Sequence, residues 1–216
     1  MKRVITGDGS VTYYNEQIGD HYHTKSGARE EAVEKHVRAL GVAPGRVVFD
    51  VFFGLGYNTA AALDVGPATV YCFENDLEIL KKALSLDECD SGFRSFWIVR
   101  EFLRGFFDGR DVYENAESGV KLVMLFGDAR ETIMDVPERA DYVFFDPFSP
   151  ARVPELWTRE FFLAIRDKMS QGGKLSTYSC ARWVRDNMRA AGFIVSDGPV
   201  LGRRGPSTIC AVLNEP

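Results

Sequence analysis

The sequence predicts an α/β fold built on a parallel, doubly wound sheet, and three observations predict it. Short apolar runs alternate with segments of helical periodicity along most of the chain. The runs are rich in Val, Phe and Tyr, as in strands covered on both faces. The last two runs, "FIVSDG" and "STICAVL", have no helix between them, so they must pair as a hairpin and place one antiparallel strand in the sheet.

Each element has a local reason. "SVTYYNEQIGDHYHT" holds two β-prone runs around an "NEQIGD" turn and reads as a hairpin. "GAREEAVEKHVRAL" has apolar residues at helical spacing and ends before "GVAPG". "RVVFDVFF" is a buried strand, and "GLGYNTAAALDVG" a glycine-rich turn opening a helix that stops at Gly66. "TVYCFEND" is the next strand, "LEILKKALSL" and "RSFWIVREFLRGFF" are helices, and "VKLVMLFGD" and "ADYVFFDP" are strands joined through a short "ARETIMDV" helix. "ELWTREFFLAIRDKMSQGG" predicts a helix with a Gly-Gly stop, followed by the strand "KLSTYS" and the helix "ARWVRDNMRAAGF".

With 216 residues, 45% hydrophobic, the chain can bury a substantial core as one unit. Its net charge of −5 argues against a generic nucleic-acid coat and leaves a local basic face open. No apolar run approaches the ~20 residues of a membrane span, and "MKRVITGDGS" lacks the apolar core of a secretory signal. Cys72, Cys89, Cys180 and Cys210 show no CxxC pairing and read as reduced core residues of a cytoplasmic protein. His21 and His23 could share a strand face, but no third ligand accompanies them, so packing is the better reading and no metal is expected.

The chemistry concentrates at strand ends. Asp50 closes the "VVFD" run ahead of Gly54 and Gly56, whose turn lets backbone approach a ligand closely. Glu74 ends the next strand, 18 residues beyond Gly56, near where an acid meets ribose hydroxyls in nucleotide-binding sheets. Asp128 and Asp146 end the following two. Each acid alone could be a helix N-cap; four in series at one sheet edge favour a site. Acids in place of Lys or Arg suit a cationic nucleoside with free ribose hydroxyls better than a pyrophosphate. In "VFFDPFSPAR", Pro147 restricts Asp146 to extended geometry, so the carboxylate leaves the strand rigidly held.

The alternation with a terminal antiparallel hairpin resembles the class I S-adenosylmethionine-dependent methyltransferase (Rossmann-like) fold. More specifically, "FDVFFGLGYN", "FENDLE", "LVMLFGDARE", "FFDPFSPARVPELWT" and "GGKLSTYSCARWVRDNMRAAGF", in this order, resemble the methyltransferase domain of the MnmC tRNA wobble-uridine modification family. "YHTKSGAREEA" resembles that family's N-terminal segment and "GRRGPSTICAV" its basic tail. The resemblance implies an S-adenosylmethionine-dependent enzyme that methylates the amine of 5-aminomethyl(-2-thio)uridine in tRNA. It implies Asp50, Gly54 and Gly56 around the methionine part of the cofactor, Glu74 at the ribose, and Asp128 with Ala129 at the adenine. Asn58 and Asn75 extend that cofactor set, and Tyr22, Ser26 and Glu30 would close over it from the N-terminal segment. Residues 1–40 would form a β-hairpin and helix packed on a methyltransferase domain of residues 41–216. Two departures stand out. Phe52 occupies the family's first motif glycine, and no FAD-dependent oxidase segment precedes Pro216, so a stand-alone form supplied by a separate precursor-making enzyme is expected.

A methylated amine needs a free lone pair, yet an alkylamine with a pKa of about 10 is protonated at neutral pH. Asp146 is the candidate acceptor of its proton, the Pro147 carbonyl a second orienting group, and Phe148 a platform for the uracil ring. Lys174, Arg182, Arg185, Arg189, Arg203 and Arg204 make the last third of the chain basic. They read either as phosphate contacts around a tRNA anticodon or as a solvated face. Two alternatives remain open at this level. One is a spermidine-synthase-like aminopropyltransferase, which shares the hairpin and the acid-proline motif. The other is a non-catalytic relative that binds RNA or a partner.

Overall fold

The computed structural model describes residues 1–66, 68–202 and 205–213. At the N-terminus β1 (Lys2–Ile5), β2 (Val11–Asn15) and β3 (Asp20–His21) form a small antiparallel sheet in that order. The β2–β3 hairpin is the expected one. β1 carries no apolar alternation and is mostly exposed, so nothing in its sequence announces it. Helix α1 (Ala28–Glu31) then widens into a π-helix over Ala32–Arg38. In an ordinary helix neighbouring residues point about 100° apart. The wider turn lets Ala32, Lys35, His36 and Val37 all be buried.

The chain continues through β4 (Arg46–Val51), α2 (Tyr57–Val65), β5 (Ala68–Glu74) and α3 (Leu77–Leu84). Next come α4 (Glu88–Ser91), α5 (Phe96–Phe107), β6 (Val112–Asn115) and β7 (Val120–Phe126). The last third holds α6 (Ala129–Thr132), β8 (Ala140–Phe145), α7 (Arg159–Asp167), β9 (Met169–Thr177), α8 (Arg182–Ala190), β10 (Ile194–Asp197) and β11 (Thr208–Ala211). Caps fix several starts. Asp76 accepts from Glu78 N and Ile79 N, Asp128 from Arg130 N, and Thr158 from Phe161 N.

The main sheet runs β10-β11-β9-β8-β4-β5-β7-β6, parallel from β9 to β7. Both faces are covered. Val48, Val70, Cys72 and Phe144 point into one core, while Phe49, Val51, Tyr71, Phe73 and Phe145 point into the other. Among the parallel strands the order reverses once: β4, β5 and β7 step outward in one direction, and the chain then returns to the other side of β4 as β8. The crevice between the C-terminal ends of β4 and β8 is therefore the switch point, where such sheets place ligands.

Three details correct the sequence reading. The final hairpin is antiparallel as expected, but β6 also pairs antiparallel with β7, so the sheet has antiparallel strands towards both edges. The Gly-Gly pair does not end a helix: α7 stops at Asp167, and Gly172 and Gly173 lie inside β9. A Cβ on Gly173 would stand 2.8 Å from Ser170 O and 3.1 Å from Ala140 O, where the β8–β9 register shifts. The glycines allow that bulge. Cys72 and Cys210 are core residues, but Cys89 and Cys180 are exposed. Among the described residues no helix is long and apolar enough to cross a membrane.

Candidate functional site

Register brings the strand-end acids level. Val51 pairs with both Phe73 and Phe145, so Glu74 and Asp146 leave β5 and β8 one residue later on either side of the β4 turn. Asp128 follows β7 as the N-cap of α6.

The turn after β4 is drawn tightly against β5. Phe53 N donates to Phe73 O at 2.8 Å, and Gly54 N to Glu74 Oε2 at 2.8 Å. Glu74 Oε1 accepts from Asn75 N and Asp76 N at 2.8 and 2.9 Å. A Cβ on Gly56 would come within 2.6 Å of Phe53 Cζ and 2.8 Å of Val99 Cγ1, so Gly56 serves close packing. Phe52 is the one non-glycine with positive φ, at 74°, among the described residues. Its ring is nevertheless held edge-on by Phe145 and Phe161, with centroids 5.7 and 6.3 Å away. The backbone keeps a glycine conformation that the side chain's packing sustains. At this position Phe52→Gly is expected to unfold at higher urea than Phe52→Ala, by about 1 kcal/mol, reversing the usual order. Both variants lose the ring contacts, and only alanine keeps the strained φ.

Two cavities flank this level. The first, of about 310 Å³, lies under the β2–β3 turn and against the ends of β4, β5, β7 and β8, with Gly54, Glu74, Asn75, Asp128 and Ala129 in its wall. The second, of about 390 Å³, lies beneath the N-terminal segment and is lined by Thr24, Lys25, Glu31, Ser149 and Tyr178 among others. Tyr22, His23, Asp146, Pro147 and Phe148 line both. Tyr22 stands between them, with its hydroxyl donating to Asp76 Oδ2 at 2.9 Å and its ring 4.8 Å from that of Phe148.

The segment after Asp146 is pinned from behind. Tyr178 OH donates to Pro147 O at 2.8 Å, fully buried Trp157 donates Nε1–H to Phe148 O at 3.0 Å, and Ser149 N donates to Asp20 Oδ2 at 3.2 Å. The Pro147 carbonyl thus spends one of its two lone pairs on a structural tie, and the Asp146 carboxyl beside it faces both cavities. Burial pushes its carboxyl up to about 8, reinforced by Glu31; the Asn58 amide, donating to Oδ2 at 3.3 Å, and the Lys35 ammonium pull the other way. Burial also raises Glu74.

The remaining expected residues fall into separate places. Asp50 is fully buried behind the first cavity, with Oδ2 accepting from Thr59 N at 3.1 Å and Thr59 Oγ1 at 2.7 Å; burial raises it to about 7. Ser26 and Glu30 lie outside both cavities: Ser26 Oγ is 3.0 Å from Thr24 Oγ1, and Glu30 is exposed with its N–H on Asp8. Glu31, next in sequence, faces the second cavity instead. Asp128 is gripped by Arg130, whose Nε is 3.0 Å from Oδ1, and this holds its carboxyl below the usual range.

Among the described residues, the expected basic side chains do not form one patch. Lys174 pairs with Tyr142 near the start of β8, at the end of the sheet away from Asp146, and donates to Leu40 O at 3.2 Å. Arg185 ties α8 to the last hairpin through Thr208 Oγ1 at 2.8 Å, Asp197 Oδ1 at 2.7 Å and Ser207 O at 3.0 Å. Arg189 pairs with Asp186, and the Arg182 side chain is 97% exposed. Arg203 and Arg204 lie outside the described residues. His23 packs on the Tyr57 ring and His21 against Tyr14.

Sequence reading missed Glu31, Lys35 and His36. Their signal is an adjacent Lys-His pair among the buried residues of an otherwise apolar helix face.

Comparison with known proteins fits this geometry. Residues 99–214 match the family model described as S-adenosyl-L-methionine-dependent methyltransferase. An uncharacterised protein of Methanocaldococcus jannaschii is 30% identical over 209 residues, covering 95% of this chain and 58% of that protein. The bifunctional tRNA 5-methylaminomethyl-2-thiouridine biosynthesis protein MnmC of Polaromonas naphthalenivorans is 28% identical over 89% of this chain, which spans only 33% of its length. The crystal structure of MnmC2 from Aquifex aeolicus superposes with a TM-score of 0.78 at 31% identity, covering all of this chain and 71% of that one.

Proposed function

Since the chain belongs to the S-adenosyl-L-methionine-dependent methyltransferases, as a relative of MnmC and MnmC2, we propose that it methylates the aminomethyl nitrogen of a wobble uridine in tRNA. The observation that carries this reading is the meeting of two cavities at Asp146: one suited to the cofactor, the other open to an amine.

The first cavity fits S-adenosylmethionine, the family's cofactor. A Cβ on Gly54 would have only Tyr22 Cδ1, at 3.6 Å, and Phe52 O, at 3.9 Å, within 4 Å, so the backbone there is bare to an incoming ligand. Glu74 and Asn75 would hold the ribose and Asp128 with Ala129 the adenine, while the buried acids welcome a cation. When bound, the cofactor would supply an electrophilic methyl group on a sulfonium sulfur, which would be left with the C–S electron pair.

The chain's own part is to orient the amine and take its proton. An alkylammonium near its reference pKa of about 10.4 holds its proton tightly. The buried Asp146 carboxyl, near 8, is a far better acceptor than an exposed carboxylate, so proton transfer within the cavity costs less. Phe148, pinned by Trp157, offers a rigid face for a splayed pyrimidine. tRNA enters this reading through MnmC kinship, and its phosphate contacts would come from exposed basic groups such as Arg182.

The test supplies radiolabelled S-adenosylmethionine with tRNA bearing unmethylated 5-aminomethyl-2-thiouridine, and separately with spermidine and putrescine. Label in the tRNA alone supports the proposal; label in the polyamines, or in neither, overturns it. Cofactor binding has its own check. Glu74→Ala is expected to weaken S-adenosylmethionine binding about 30-fold in calorimetry, from roughly 2 kcal/mol of lost hydrogen bonding to a charged group. Unchanged affinity would move the ribose elsewhere.

A further inference from the structure

His36 lies in the π-helix, fully buried, with its ring 5.4 Å from that of Phe144. Its Nδ1 is 2.8 Å from Ser176 Oγ on β9. Its Nε2 is buried without a hydrogen-bond partner and stands 3.8 Å from Asp146 Oδ2. Burial holds this imidazole neutral, down to about 3, so the approach is not an ion pair. A neutral imidazole carries one N–H, and the partner of one nitrogen decides which nitrogen bears it. In the tautomer where the Ser176 hydroxyl donates to Nδ1, the proton sits on Nε2 and faces Asp146. Asn58 Nδ2 already donates to the same Oδ2.

We propose that His36 is a positioning residue for Asp146: with its tautomer set by Ser176, its Nε2–H closes on Oδ2 once the carboxyl ionises and leaves Oδ1 for the substrate amine. The idea rests on the reading of Asp146 as proton acceptor. The other groups acting on the pair are Glu31 and Lys35 from the helical arm, His23 from the N-terminal segment, Asp50 from β4 and Asn58 from α2. None of them occupies the lone imidazole nitrogen.

The test titrates the Asp146 side-chain carboxyl by 13C NMR in the cofactor-free full chain, alongside the pH dependence of turnover on the aminomethylated tRNA. His36→Leu is expected to raise the Asp146 titration, and the acid limb of kcat with it, by about one to two pH units, because a donor to the charged form is gone. His36→Gln, whose amide nitrogen can reach the same place, keeps both near their original values. Ser176→Ala moves them upward by less and carries the test should His36→Leu fail to fold. An unmoved titration in His36→Leu, or in Ser176→Ala in its stead, overturns the inference. So does failure of His36→Gln to restore the titration, which would reduce His36 to packing. Asp146→Asn in the same series separates the two ideas. If it still turns over, the acceptor reading falls whatever His36 does; if it is inactive and the titrations are unmoved, His36 alone is dismissed.

Discussion

Asp146→Asn is expected to keep the fold and cofactor affinity while losing methyl transfer on the order of 10²–10⁴-fold, the usual contribution of a positioned base. Pro147 and the ties from Tyr178 and Trp157 fix the backbone here, so the amide will occupy the carboxylate's place. Asparagine can still accept a hydrogen bond from the amine, but it cannot take the proton. Wild-type activity should climb with pH towards about 8 as Asp146 ionises, and this limb should vanish in the variant. Stability carries the opposite sign. Folding raises the Asp146 pKa, so the folded chain binds the extra proton, and the favourable contribution is lost as pH rises from about 4 to about 8. The substituted amide does not titrate; the variant should therefore melt higher than wild type at pH 9 and lose that advantage in acid. A defect confined to KM would instead mean that Asp146 only holds the ammonium form.

Lys35→Met should be among the most destabilising single changes, costing about 3–5 kcal/mol in urea denaturation. Lys35 Nζ and Glu31 Oε1 are 2.7 Å apart with side chains 2% and 3% exposed. Burial alone would raise Glu31, but the Lys35 ammonium and the Thr24 N–H on Oε2 hold it below the usual range. Removing the lysine strands a buried carboxylate close to Asp146, whose own pKa must then rise, since Lys35 lowers it. Replacing both members, Glu31→Gln with Lys35→Met, should recover most of the stability, because no uncompensated charge remains. If the double variant is as unstable as the single one, the pair is a packing element and not an electrostatic unit.

The central part of this site was readable because it is local. An apolar run ending in Asp-Pro, and a strand followed by Gly54, need no knowledge of distant residues. Glu74 followed from its offset along the nucleotide-binding pattern. What could not be read is what depends on long-range geometry. Glu30 and Glu31 are indistinguishable in sequence; the helical arm buries Glu31 and leaves Glu30 outside. Asp50 looks like its fellow strand-end acids, yet Thr59 one turn into α2 takes its carboxylate away from the cavity. Lys174 was grouped with the basic residues by proximity in sequence, whereas β9 starts before the Gly-Gly pair and carries it to the far end of the sheet. Phe52 shows the converse: the odd residue in a glycine position was visible, but the aromatic contacts that sustain it were not.

The helical arm also sets an order of events in folding. Its ties to the sheet close very long loops: His36 to Ser176 spans 140 residues, Leu40 to Lys174 spans 134, and the hairpin's Asp20 to Ser149 spans 129. A π-helix has little stability of its own, so this segment acquires its shape from the surface it lands on. Contacts of such separation are entropically the last to become favourable. The parallel sheet with its cofactor crevice can therefore assemble first, and the arm docks onto it afterwards, bringing Glu31, Lys35 and His36 to Asp146 in one step. Chains caught before that step would lack both the second cavity and the cover that Tyr22 and His23 give the first, and maturation of this protein becomes the docking of its own first forty residues.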